Sequence, residues 1–498
     1  MSIVPNKASF QKYFQYFVFF LFVVSFEIVY AQVESDNLVY AMVPHEYHGD
    51  AFHFKRIALL ASAFESNDDG KLIVIIPNEH KRKDLLSFAK KNGFHKNIII
   101  YVCNGKCSLT HHYIRDGATG WKYQNDVSYI LGNQRFEEVS AMIGLAKELG
   151  QCNPIDIEWL SDAIPGGNLV SNGQDLCVVN PRHLKQYRCP SPDPYLRQYW
   201  DRKIGLTIPS SKVIKIDNAP SIETEPTSQK NEKSSSPTPR NDVDEMKQMS
   251  ETEMLDQYFI NLNKNDMDRR SYPPMNETLG CKKIIPGACH LLITPNDHVD
   301  RYVGFLSEFV AIVPTHEKKE GNPEGCFNDY YQRVFDLMAA QLEKEKIHVI
   351  RIPVGLDCIQ KELKLPILTE INSLKDLTAK KGEHFSTVSR TYANIEVTKH
   401  AYLIPSYTHS LIAERTGEDL FPASDEYRAA LETYNQKAVT LIQNAIDEGY
   451  LPEKKIISVP VLYEETIGGG SLRCRTSNVP GIIQKCKRKP FGNQKTKE

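Results

Sequence analysis

The hydrophobic positions of this chain fall into short dense blocks set between amphipathic stretches. Leu38-Val39-Tyr40-Ala41-Met42-Val43 is an unbroken apolar run of strand length, and Lys71-Leu72-Ile73-Val74-Ile75-Ile76 and Asn97-Ile98-Ile99-Ile100-Tyr101-Val102 repeat it. Runs of this kind suit strands buried on both faces. Between them, Phe54 to Phe64 and Lys83 to Asn92 follow a helical pattern. The mixture returns after residue 280. Leu291-Leu292-Ile293, Ala311-Ile312-Val313, Ile347 to Ile352 and Ile456 to Val459 read as strands, and Tyr330 to Glu345 and Glu426 to Glu448 as helices. Strands alternating with helices predict an α/β architecture.

The segment from Ala219 to Met254 breaks this rhythm. It is rich in Ser, Thr, Pro, Lys and Glu, as in Gln229-Lys230-Asn231-Glu232-Lys233-Ser234. Such a composition buries too little apolar surface to offset its ordering entropy. It reads as a polar, disordered insert between residues 32–218 and 255–485, with a basic tail over 486–498. At the other end, Lys7 and Lys12 precede an apolar run from Tyr16 to Phe26, and Val29-Tyr30-Ala31 follows. This pattern predicts a secretory leader over residues 1–31. An uncleaved single-pass anchor is the alternative, although the run is shorter than the about 20 apolar residues a spanning helix needs.

Composition narrows the function only a little. A formal net charge of −2 gives no reason to expect a nucleic-acid partner. The 11 cysteines are an odd number. In an exported chain that leaves at least one thiol without an intramolecular bridge, and connectivity is not readable from spacing. Asn276-Glu277-Thr278 is a glycosylation sequon. Cys103 and Cys107 lack a second ligand pair at zinc-finger spacing, and His45, His48, His111 and His112 lack a companion ligand at fixed spacing. No metal site is expected from them.

The chemistry-bearing residues lie far apart. Gly468-Gly469-Gly470-Ser471-Leu472-Arg473-Cys474 sets a cysteine behind a glycine run, where it can sit exposed at the edge of a cleft. His298-Val299-Asp300 offers a base and an acid to a thiol nucleophile. Arg115-Asp116-Gly117 and Pro165-Gly166-Gly167-Asn168 lie upstream, and Thr391-Tyr392-Ala393-Asn394-Ile395-Glu396 runs toward Ile404-Pro405-Ser406-Tyr407. Each has a plain structural reading. Cys474 could be a buried or bridged core residue, His298 and Asp300 a satisfied pair, Arg115-Asp116 a turn salt bridge, and Gly166-Gly167-Asn168 a hairpin turn.

Taken in order, Arg-Asp, Gly-Gly-Asn, His-x-Asp and a glycine-run cysteine resemble the guanidine-modifying pentein superfamily. The Tyr-x-Asn and Ile-Pro-x-Tyr segments look like its agmatine deiminase and bacterial peptidylarginine deiminase branch. The resemblance implies a propeller of five ββαβ modules around a central site. It implies that Asp116 and Asp300 grip a substrate guanidinium, that His298 is the general acid/base, and that Cys474 is the nucleophile. Gly167, Asn168 and Arg473 are the further substrate-binding candidates. The expected partner is a guanidinium-bearing substrate, in a protein, a peptide or a small molecule. No required cofactor is expected; the animal peptidylarginine enzymes use calcium, but nothing like an EF-hand loop is present here.

Two residues depart from the family pattern. Pro165 stands where deiminases of free arginine and agmatine usually carry Glu, so a carboxylate is missing there. Glu158 and Asp162 are the nearby acids in sequence. Arg473 stands where agmatine and peptidylarginine enzymes usually carry His, as in arginine deiminases. It could stabilise the thiolate or bind a substrate carboxylate. The chain is therefore expected to be a secreted guanidine deiminase, with an inactive pentein-like binding protein or an amidinotransferase as alternatives.

Overall fold

In the computed structural model the chain divides into two units, Met1–Arg188 with Tyr272–Glu498, and Cys189–Ser271. The structure describes residues 37–42, 50–65, 70–103, 115, 118–122, 128–132, 156–159, 166–174, 176–180, 249–250, 253–254, 256–257, 281, 283–287, 298–316, 328–354, 356–359, 386–389, 391–408, 425–462, 465 and 471–479. The leader, Leu291–Ile293, Asp116, Pro165, Asn276, Gly468–Gly470, the tail and the four peripheral histidines lie outside them. Among the described residues, no helix is long and apolar enough to cross a membrane.

The first unit is built from small sheets. β1 (Asn37–Ala41), β2 (Leu72–Ile76) and β3 (Ile98–Val102) run parallel, with α1 (Asp50–Ala61) and α2 (Glu79–Lys91) as crossovers. β1 and β2 are buried at every position, as their unbroken apolar runs require. β4 (Ala118–Lys122) pairs antiparallel with β5 (Ser128–Gly132), which pairs parallel with β6 (Asp156–Trp159). β7 (Leu169–Ser171), β8 (Leu176–Val179) and β9 (Lys283–Pro286) repeat that order. So do β10 (Gly304–Phe305), β11 (Val310–Thr315) and β12 (His348–Pro353), where α3 (Asn328–Lys344) makes the parallel crossover. β13 (Leu356–Ile359) and β14 (Ser386–Ser389) form an antiparallel pair. β15 (Glu396–Val397), β16 (Ala401–Thr408) and β17 (Lys455–Leu462) repeat the three-strand order, with α4 (Asp425–Asp447) as crossover. After the short helix α5 (Leu472–Arg475), β18 (Thr476–Val479) pairs antiparallel with β1, so the two ends of the sequence complete one sheet.

The helices bury the faces their sequences predict. Tyr331, Val334, Phe335, Met338, Ala339 and Leu342 form the buried stripe of α3. α4 packs on β16 and β17 and also on β12 of the neighbouring sheet, and α1 packs on both β2 and β17. α2 starts at Glu79, four residues before the predicted Lys83, because Asn78 caps it and accepts from Lys81 N at 3.0 Å. The Asn172-Gly173 turn closes the β7–β8 hairpin. Asn172 Oδ1 accepts from Gln174 N and Leu176 N, each at 3.0 Å, and Gly173 has φ +81°. The hairpin turn is thus one strand later than Gly166-Gly167-Asn168, which forms a 3-10 turn instead.

Two covalent or ionic ties close long stretches of chain. Cys177 on β8 is bridged to Cys281, just before β9, across 104 residues that contain the whole second unit. The described residues of that second unit include a helix start in which Ser250 and Glu253 cap one another's backbone N–H groups. In the first unit, Arg56 of α1 donates to both carboxylate oxygens of Glu465, at 2.8 and 2.6 Å, and to the Pro460 carbonyl. Arg475 pairs with the same carboxylate. Burial lowers the Arg56 pKa, but Glu465 and Tyr40 outweigh it and hold the guanidinium above its ordinary range.

Removing one partner of a buried ion pair typically costs about 3–5 kcal/mol, so Glu465→Ala is expected to lower unfolding free energy by that order in denaturant titration. Loss of the disulfide in a Cys177→Ala/Cys281→Ala protein is expected to cost about 4–5 kcal/mol, the loop-closure value for ~100 residues, read as a lower denaturant midpoint.

Candidate active site

Cys474 lies on α5, a four-residue helix between the glycine run and β18. It is 1% exposed and is a thiol, while Cys177, Cys281 and Cys103 are in disulfides. His298 enters the 3-10 turn Val299–Arg301, and Asp300 lies within it. The Cys474 Sγ is 3.6 Å from Asp300 Oδ2 and 3.9 Å from Oδ1. One donor atom each from His298, Asp300 and Cys474 falls within 4.8 Å of the others. Three residues spread over 177 positions of sequence, from His298 to Cys474, thus converge in one buried cluster. The same three donors could ligate a thiophilic metal ion.

Asn394 ties this cluster together. Its Oδ1 accepts from Arg473 N at 2.6 Å and Cys474 N at 3.4 Å. Its Nδ2 donates to Cys474 Sγ at 3.4 Å and to the Asp300 carbonyl at 3.3 Å. The Asn394 side chain therefore sets the Cys474 segment against the turn that carries Asp300.

Charge surrounds the thiol on the other side. Arg115 pairs with Glu396 and donates through Nε to the carbonyls of Arg473, at 2.8 Å, and Thr476, at 3.1 Å. Burial pulls the Arg115 pKa below its ordinary value; Glu396, Asp300 and Cys474 oppose that shift and Arg473 adds to it. The Arg473 guanidinium lies 3.9 Å from Asp300 Oδ2 and 3.9 Å from Glu396 Oε1. Thr476 Oγ1 donates to Glu396 Oε1 at 3.2 Å.

A polar chain supports the entry to α5. The Ser471 hydroxyl meets Tyr407 OH at 3.1 Å, and Tyr407 OH donates to the Thr391 carbonyl at 2.6 Å. Asn435 of α4 accepts from Tyr392 OH and from Tyr407 N. The Tyr-x-Asn and Ile-Pro-x-Tyr segments are therefore framework for the cysteine helix as well as, through Asn394, direct neighbours of the thiol.

The Gly-Gly turn has a steric role. A Cβ on Gly167 would lie 2.6 Å from His298 Cγ and collide with its Nδ1, and one on Gly166 would enter the backbone and side chain of Arg115. The missing side chains let the His298 ring and Arg115 reach the cluster. Asn168 has a different part. Its Oδ1 accepts from Asn180 Nδ2 at 3.1 Å, bracing the turn against the end of β8.

His298, Asp300, Arg473 and Cys474 are thus brought together as the sequence predicts, with Gly167 against His298. Asp116 falls outside the described residues. The expectation of an exposed cysteine is corrected: Cys474 is enclosed, because Leu472, Ser471 and Asn394 around it are themselves buried. Sequence alone does not single out three neighbours of the thiol. Arg115 reads only as the companion of Asp116. Asn394 belongs to a motif that assigns it no role. Glu396 gives one signal, an acid inside the apolar run Tyr392 to Val397.

No family model matches the chain, and no curated protein matches it in sequence. Its structural neighbours include agmatine deiminases, a putative arginine deiminase from Porphyromonas gingivalis and a putative peptidyl-arginine deiminase. It is similar to the C. jejuni agmatine deiminase with a TM-score of 0.45 and 14% identity, over 91% of this chain and 96% of that one. It is similar to the agmatine deiminase of Enterococcus faecalis with a TM-score of 0.48 and 11% identity, over 91% of this chain and 95% of that one. Both TM-scores are below 0.5 and both identities are very low.

Gly167→Ala is expected to push the His298 ring out of place, costing about 1–3 kcal/mol of stability and lowering turnover by about 10²-fold or more. Thermal melts and steady-state rates on the same preparation check both.

Proposed function

We propose that the protein is a guanidine deiminase that hydrolyses a guanidinium group to a ureido group and ammonia. The observation that carries this reading is the buried Cys474 thiol with His298 and Asp300 within 4.8 Å of one another. A guanidinium is planar and cationic, and carboxylates match its donors with charge-assisted hydrogen bonds. Asp300 supplies one such carboxylate beside the nucleophile. Asp116 is proposed as another on the strength of the family motif.

In the proposed mechanism, Cys474 gives its proton to His298, and the resulting thiolate attacks the guanidinium carbon and forms a C–S bond. The cationic substrate beside Asp300 favours the thiolate, and positioning by the carboxylates lowers the barrier. One C–N bond breaks as His298 protonates the departing ammonia, leaving a thiouronium on Cys474. His298 then takes a proton from water, the hydroxide adds to the same carbon, and the C–S bond breaks. The products are the ureido compound and the restored thiol.

The proposed fold is a five-bladed pentein propeller. Its support is the antiparallel-then-parallel strand order in five sheets and the pairing of β18 with β1. The proposed setting is extracellular, supported by the leader pattern and the Cys177–Cys281 bridge. Residues 219–254 are proposed as an addition to the catalytic unit, and Asn276 as a glycosylation site.

Incubation with agmatine, free arginine and an arginine peptide is expected to release ammonia and ureido product in equal amounts from at least one of them. Cys474→Ser is expected to lower that rate by about 10³-fold or more. Folded protein that turns over none of the three rules the reading out.

A further inference from the structure

We infer that Glu396 is a further carboxylate that, together with Asp300, recognises the guanidinium, and that Arg473 is an internal occupant of that place which substrate displaces. The inference rests on the deiminase reading and adds to it a binding residue and a built-in competitor.

The Arg473 guanidinium shows what the two acids accept between them. Its Nη1 is 3.9 Å from Asp300 Oδ2 and its Nε is 3.9 Å from Glu396 Oε1. Asp300 is 0% exposed and Glu396 5%. Buried carboxylates of this kind need cations beside them. A guanidinium meets that need, because its donors spread around a plane and can face two carboxylates at once.

Arg473 is held loosely where Arg115 is held tightly. A separation of 3.9 Å exceeds hydrogen-bond length, and among the described residues Arg473 Nη1 is buried with no hydrogen-bond acceptor. Arg115, by contrast, bonds Glu396 directly and also two backbone carbonyls. The backbone of Arg473 is anchored through its N–H to Asn394. Release therefore needs only rotation of the side chain, which is 15% exposed and so has an outlet to solvent. A guanidinium tethered one residue from the nucleophile competes at an effective concentration of the order of mM or above. Glu396 also answers the gap at Pro165. The carboxylate absent before the Gly-Gly turn is supplied from β15, on another sheet.

Agmatine, a guanidinium ligand with no carboxylate, tests the arrangement by calorimetric titration into Cys474→Ala protein, which cannot turn it over. Adding Arg473→Ala is expected to tighten agmatine binding by about tenfold or more. Adding Glu396→Gln to that double variant is expected to weaken it again by about tenfold or more. Circular dichroism checks the fold of each variant, because Glu396 also pairs with Arg115. If Glu396→Gln does not fold, Glu396→Asp keeps the charge and shortens the reach, and a severalfold loss is expected. Binding unchanged or weakened by Arg473→Ala overturns the displacement, and binding unchanged by either Glu396 variant overturns its role. The expected changes in affinity alongside absent turnover in the native protein support the pair and overturn the deiminase reading. Absence of agmatine binding in every folded variant overturns both.

Discussion

A single buried carboxamide governs the geometry of the candidate active site. Asn394 is 0% exposed and bonds the backbone N–H groups of Arg473 and Cys474, the Cys474 sulfur and the Asp300 carbonyl. A buried polar group left without a partner costs about 1–3 kcal/mol. The three segments that meet at Asn394 are thereby driven into one arrangement. Asp300 is set against the thiol, and the backbone of the residue before the nucleophile is fixed while its side chain keeps its rotors.

Around this amide lie two ionic clusters of the same composition. Glu396 is shared by Arg115 and Arg473, and Glu465 is shared by Arg56 and Arg475. The cysteine helix contributes one arginine to each cluster, Arg473 to the first and Arg475 to the second. Buried ion pairs of this kind are weak evidence for stability, since apolar replacements are often as stable. Their value here is placement. Arg56 reaches from α1 to Glu465, beyond β17, and Arg115 reaches the carbonyls of Arg473 in the cysteine helix and Thr476 at the start of β18.

Much of the fold was legible where one element had one simple periodicity. β1, β2, β3, β11, β12 and β17, and the helices α1, α3 and α4, all coincide with runs read from sequence to within a few residues. Among the strands that were missed, β10, β15 and β16 have local reasons. β10 and β15 span two residues each, too short to show any alternation. β16 carries Pro405 inside its eight residues, and proline ordinarily argues against a strand interior. Leu403 and Pro405 of β16 pair with Ile457 and Val459 of β17, so tertiary pairing overrode the local signal.

The site divides along the same line. The order of Arg115, Gly166-Gly167, His298, Asp300 and Cys474 along the chain was enough to nominate a thiol nucleophile, because the chemical capacity of a residue is written in its type. Whether those residues meet is a question of long-range contact, which no local pattern encodes. Folding alone decided that Cys474 is enclosed, that Gly167 makes room for the His298 ring, and that Asn168 accepts from Asn180 at the end of β8. Folding alone also placed Glu396 beside Arg473. In sequence that glutamate is one acid in an apolar run, 77 positions from its partner (396 against 473). It gains a role because strand pairing and the Asn394 amide carry it to the nucleophile.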